Sequence, residues 1–162
     1  MSTQIIFGTS VALSFVAWSI VMAQYVWPML HGQARVDALR ALLILHSFRF
    51  VGLAFLVPGV VSPDLPAAFA KPAAYGDFVA ATLALVALAS LQTRAGTPLV
   101  WIFSVWGSAD LLHAFYQGYA SGLQPGDLGA GYFIPTFIVP MLLITHALVF
   151  RILLQRTRSK DL

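Results

Sequence analysis

The chain has 162 residues, of which 59% are hydrophobic and 9% charged, with a formal net charge of +3. A soluble domain carries about 25% charged residues, so this composition excludes an ordinary water-soluble domain and points to an integral membrane protein. Cysteine is absent and every acidic residue is Asp, which excludes disulfides, thiolate metal sites, iron–sulfur ligation, covalent c-type haem and glutamate-based zinc-protease motifs.

The first apolar run, residues 5–27, has no charged side chain and is long enough to cross a hydrocarbon core of about 30 Å. Residues 1–4 carry no basic side chain and the run is too long for the core of a cleavable signal, so it is expected to remain as an anchor. Ser10 and Ser14 share one face and suit close helix packing. Gln24, Tyr25 and Trp27 read as the interfacial end, and Pro28 closes the helix. A short turn with His31, Arg35 and Asp37 leads into a second span, residues 39–57. It is apolar yet carries His46 and Arg49 well inside, and it ends at Pro58-Gly59.

Residues 60–76 read as a Pro-rich loop, with its middle lying on the membrane surface. Asp77 is a candidate N-cap for a third span, residues 78–93. No ionisable group falls within that span, and Ala80, Ala84 and Ala87 form a smooth packing face. Thr97-Pro98 is a good helix start for a fourth span, residues 99–119, which holds Asp110 and His113. A Gly-rich stretch, 120–130, is expected to be mobile. The fifth span, 131–154, should bend at Pro135 and Pro140 and carries His146 beyond the bend.

The expected fold is therefore an all-α integral membrane protein, a five-helix transmembrane bundle forming one domain over residues 1–162. With the C-terminus inside, the inner end receives Arg35, Arg40, Arg94, Arg151, Arg156, Arg158 and Lys160, and the outer end Lys71. The positive-inside rule then puts the N-terminus outside and the C-terminus in the cytoplasm. A bacterial cytoplasmic (inner) membrane is the expected location. The positive charge falls where topology wants it, so the bilayer is a partner and nucleic acid is not. No Lys lies in an expected span, which excludes a retinal Schiff base. No phosphate-binding Gly-rich fingerprint is present, and no internal repeat supports an inverted-repeat transporter.

Ionisable groups inside a membrane are costly and need a partner and a purpose. Counted from the inner helix ends, His46 lies about 10–12 Å deep, His146 about 12 Å, Arg49 about 15 Å, Asp110 about 17 Å and His113 about 22 Å. Arg49 and Asp110 therefore pair by level, as do His46 and His146. One polar layer is expected where the second, fourth and fifth spans meet.

Three functional readings fit this layer. The first is b-type haem for electron transfer to a redox partner, with His46 and His146 as axial ligands and Arg40 or Arg49 on a propionate. The second is an intramembrane zinc hydrolase holding its metal with His46, His113, His146 and Asp110. The third uses no cofactor: a lipophilic-ligand pocket, a proton path through Asp110 and the His residues, or an oligomer or subunit of a larger membrane complex. In size and helix count the chain is similar to the translocator protein family, which binds porphyrins and sterols. That family's Trp- and Pro-rich pattern is absent here. The five-helix plan with His46 and His146 on spans two and five also resembles the haem-bearing gamma subunit of respiratory nitrate reductase. That subunit uses two His on each of those helices, whereas this chain has one on each.

Overall fold

The computed structural model describes residues 1–155. Arg156, Arg158 and Lys160, counted above at the inner end, lie outside the described residues. Among those described the regular structure is helical, and five helices are long and apolar enough to cross a membrane: Thr3–His31, Arg35–Leu56, Ala67–Ser90, Gly96–Ala120 and Ile134–Leu154.

The first of these is α1 (Thr3–Val21), a π turn at Met22–Val26, and α2 (Trp27–His31). No residue of α1 is buried; it lies on the outside of the bundle. Ser10 donates back to the Ile6 carbonyl at 2.9 Å and shares a 3.3 Å hydrogen bond with the Tyr132 hydroxyl. Trp18 Nε1 donates to the Phe137 carbonyl at 3.1 Å, pinning α1 to the last span.

The second span is α3 (Arg35–Ser47), followed without a break by nine residues of 3₁₀-helix, Phe48–Leu56. Runs of that length are uncommon, and residues three apart in them eclipse one another. The buried residues of the segment are Arg49, Gly52 and Phe55, a stripe of period three that follows from the tighter winding.

The third span, α4 (Ala67–Ser90), starts eleven residues before the expected 78. The stretch read as a surface loop is helical because it is Ala-rich, and the helix carries Pro72 in its second turn, where one backbone hydrogen bond is given up. Three expectations change with it. Pro66, not Asp77, occupies the N-cap position. Asp77 becomes a buried mid-helix residue. Lys71 enters a span, exposed one turn from its end. Ala80, Ala84 and Ala87 are fully buried, so the helix backbones approach closely, as small residues allow in lipid.

The fourth span is α5 (Gly96–Ala120). The Gly-rich stretch after α5 runs into a short 3₁₀ segment, Pro125–Tyr132, tied to the loop before α4. Ala130 N–H donates to the Val60 carbonyl and Ser62 N–H to the Asp127 carbonyl, both at 2.9 Å. Gly129 sits in the left-handed region at φ 51°, and Val60 leaves no room there for a side chain. The last span opens with a π turn, Ile134–Ile138, which contains Pro135, and continues through Pro140 as α6 (Val139–Leu154).

Two apolar clusters fill the bundle. One contains Leu39, Leu43, Ala84, Val100, Phe103 and Val149; the other contains Phe55, Phe69, Ala74, Leu111, Leu128 and Leu142. On each of the four inner spans a polar residue falls in sequence between the two: His46 and Arg49, Asp77, Ser104, then Thr145 and His146. The polar groups thus form a layer with a sealed apolar core on either side. Arg35 Nη2 donates to the Leu153 carbonyl at 3.1 Å, and the Arg151 guanidinium lies 3.8 Å above the Trp27 ring. Both cations sit at the end of the bundle away from the Gly-rich loops, where they complement the C-terminus of α6.

Candidate functional site: a buried arginine between two aspartates

Arg49 is 2% exposed, and it is the largest fully buried side chain of the chain among the described residues. The 3₁₀ winding points it inward. Its Nε donates to Asp77 Oδ1 at 2.8 Å, and Nη2 lies 2.7 Å from that same oxygen. Nη2 also donates to Asp110 Oδ2 at 2.7 Å. Nη1 donates to the Gly107 carbonyl at 3.1 Å and lies 3.4 Å from His146 Nε2. All five guanidinium N–H groups therefore face an acceptor, which is what a charge of this kind needs once water is removed. The pairing of Arg49 with Asp110 expected from equal depth is present; Asp77 joins it as a third member.

The hydrogen-bond pattern assigns the histidine tautomers. Arginine cannot accept, so His146 Nε2 presents its lone pair to Nη1, and Nδ1–H donates to Ser104 Oγ at 3.2 Å. His46 Nε2 lies 3.0 Å from Thr145 Oγ1, whose proton goes to the Met141 and Leu142 carbonyls at 2.9 Å. Thr145 therefore accepts from His46 Nε2–H. His46 Nδ1 is left buried with no partner.

His46 and His146 come together, but against each other. Their ring centroids are 4.1 Å apart, and Phe103 packs on both at 5.1 Å. Two rings in contact leave no space for a macrocycle between them, and three of their four ring nitrogens are committed to Thr145, Ser104 and Arg49. The described arrangement does not fit a haem held between these two residues. Arg40 does not join the layer; it is partly exposed and pairs with Asp37 at 3.4 Å. His113 is exposed, with Gln117 Nε2 donating to its Nε2 at 3.2 Å. It stands apart from the two buried His, and among the described residues no group of three or more His, Cys, Asp or Glu is set to hold a metal ion.

A family model described as a domain of unknown function, DUF8737, matches residues 6–154. The chain belongs to this family. No curated protein and no solved structure matches it. The matched residues take in the whole polar layer of this DUF8737 chain.

The layer opens sideways. Asp110 lines a groove of about 680 Å³ between α4 and α5, together with Pro72, Tyr75, Val79, Trp106 and His113. The groove is apolar apart from Asp110 and the polar ends of its rings, and it faces outward from the bundle. A smaller apolar cleft of about 310 Å³ runs from Phe48 to Met141, with Arg49 in its lining. Three glycines make the layer this tight, and one of them, Gly52, leaves the room that the Asp77 carboxylate fills. A side chain on Gly107 would meet the His146 ring and Arg49 Nη1, and one on Gly76 would collide with the Asp110 carboxylate.

Reading the DUF8737 sequence by span missed Asp77 because Lys71, Pro72 and Gly76 break the apolar run just ahead of it. One signal was present. Arg49 is a deeply placed cation, and Asp77 and Asp110 are the two acids adjoining or within the expected spans three and four.

Proposed function

We propose that this protein is a cofactor-free membrane protein that binds a lipophilic small molecule in the α4–α5 groove, with Asp110 at its polar floor. The observation that carries this reading is the lateral opening of the polar layer. Apolar side chains close the layer along the bundle axis on all four inner spans, which disfavours a proton path across the membrane. The groove instead offers one carboxylate inside an apolar wall, in a volume typical of small-molecule sites. A molecule dissolved in the bilayer reaches such a groove without crossing water. Arg49 and Asp77 hold the Asp110 carboxylate in place, and Tyr75 and Trp106 supply aromatic surface.

The same reading places the N-terminus outside. The basic residues Arg35, Arg40, Arg94 and Arg151 gather at one end of the spans, and the positive-inside rule assigns that end to the cytoplasm. The groove then belongs to the outer half of the bilayer, and a bacterial cytoplasmic membrane suits the arrangement.

The experiment is photolabelling in nanodiscs with an alkyl alcohol carrying a diazirine, followed by peptide mapping. Labelling should concentrate on Val79, Trp106 and Ala109, all three in the groove lining. Ala109→Phe, which fills the groove, should reduce it severalfold. Labelling spread evenly over all lipid-facing surfaces, or unchanged by Ala109→Phe, would sink the reading.

A further inference from the structure

The chemistry left unused in the groove defines the polar end of its ligand. Arg49 has no donor to offer, because each of its N–H groups already faces Asp77, Asp110, Gly107 or His146. The spare capacity is on the acceptor side. Asp110 Oδ2 takes Arg49, whereas Oδ1 makes no hydrogen bond with any described residue. Oδ1 lies over Gly76, where the absence of a side chain makes room for it, and Asp110 is part of the groove lining.

Charge points the same way. Arg49 brings one positive charge, Asp77 and Asp110 two negative ones, and no other ion pair among the described residues involves either carboxylate. The triad therefore has room for one further cation. The groove walls carry Tyr75 and Trp106, and aromatic faces attract cations, Trp most strongly. An anionic head would meet the Asp110 carboxylate, and Arg49 has no N–H free to receive it. That disfavours fatty acids and also phospholipid headgroups, whose phosphate would have to sit beside the same carboxylate.

We propose that the groove recognises a lipophilic ammonium ion: an amine with a hydrocarbon or aromatic body, its N–H groups on Asp110 Oδ1 and its body along Val79, Trp106 and Tyr75. Recognition combines a charge-assisted hydrogen bond in an apolar setting with burial of the hydrocarbon, and selectivity comes from a carboxylate that leaves anions unpaired. This rests on the groove being the ligand site.

The test uses the full chain in nanodiscs of phosphatidylcholine, with the diazirine alcohol as the label and three competitors of equal chain length: dodecylammonium, dodecanol and dodecanoate. Dodecylammonium should protect the groove at a concentration about tenfold below dodecanol, with dodecanoate weakest. Protection by all three within about threefold, or strongest by dodecanoate, overturns the proposal while leaving a lipophilic site in place. Absence of groove labelling removes the site itself, a separate result. Asp110→Asn keeps the shape and should bring dodecylammonium and dodecanol within about threefold of each other; a preference that survives it also overturns the proposal. Asp64→Asn, an exposed carboxylate outside the groove, should keep the preference. Where Asp110→Asn does not fold, the wild-type ranking decides.

Discussion

Asp77 and Asp110 share a single nitrogen: Arg49 Nη2 lies 2.7 Å from a carboxylate oxygen of each. Their helices, α4 and α5, therefore meet the second span at one shared nitrogen, with Nε also on Asp77 and Nη1 on the Gly107 carbonyl.

That sharing makes the triad all-or-none. Arg49→Leu leaves two uncompensated carboxylates in the layer and should destabilise the protein by about 3–5 kcal/mol. Arg49→Lys should rescue little of this, since one ammonium cannot serve acceptors on both sides of a planar fork. Replacing all three, Arg49→Leu with Asp77→Leu and Asp110→Leu, should recover most of the loss, because no unpaired charge remains. Thermal unfolding in detergent measures the series. A triple variant no more stable than Arg49→Leu would show that the charges are not what holds the three spans together.

Gly107→Ala tests the tightness of the layer. Its new methyl would lie 2.6 Å from the His146 ring and 2.7 Å from Arg49 Nη1. The ring is backed by His46 and cannot retreat, so a loss of about 1–3 kcal/mol is expected. Gly8→Ala, also in a helix but with nothing within 4 Å, should be neutral or slightly stabilising. Equal melting temperatures for the two variants would mean that the layer yields.

Thr145 and His46 should behave unequally although they share one hydrogen bond. Thr145→Val strands the His46 Nε2–H in an apolar setting and should cost about 1–3 kcal/mol. His46→Phe removes that donor together with the unpartnered Nδ1, and Thr145 keeps its backbone carbonyls, so the loss should be about 1 kcal/mol or less. The same melting assay ranks them; the reverse order would contradict the tautomer assigned to His46.

Orientation is accessible through cysteine labelling, since the chain has no Cys of its own. Asp64 and Gln92 are exposed at opposite ends of α4. A membrane-impermeant maleimide should label Asp64→Cys in intact cells and Gln92→Cys after permeabilisation. The opposite pattern would invert the topology.

The five spans were legible because length and apolarity are sufficient to mark them, and the Arg49–Asp110 match followed from counting residues along helices of known rise. Local geometry was not legible. Nothing in FRFVGLAFL separates a 3₁₀-helix from an α-helix by composition, and the tighter form is set by Arg49 and Gly52 fitting against Asp77 on α4. His46 and His146 were matched in depth, but depth is one coordinate. Whether two rings at one level flank a cavity or touch depends on the approach of the helices. Here Gly107 and the alanines of α4 let the backbones close in until the rings meet at 4.1 Å.

The second span changes thread at Phe48. From Arg49 to Phe55 the 3₁₀ winding makes two full turns, so both side chains face one way. Wound as an α-helix, the same six steps would fall short by about 120° and about 3 Å of rise. Phe55 would swing out of the cluster beneath the loops, and the span would shorten. The anchoring of the charge and the closure of the far end of the bundle are thus geared together, and neither can be adjusted without turning the other.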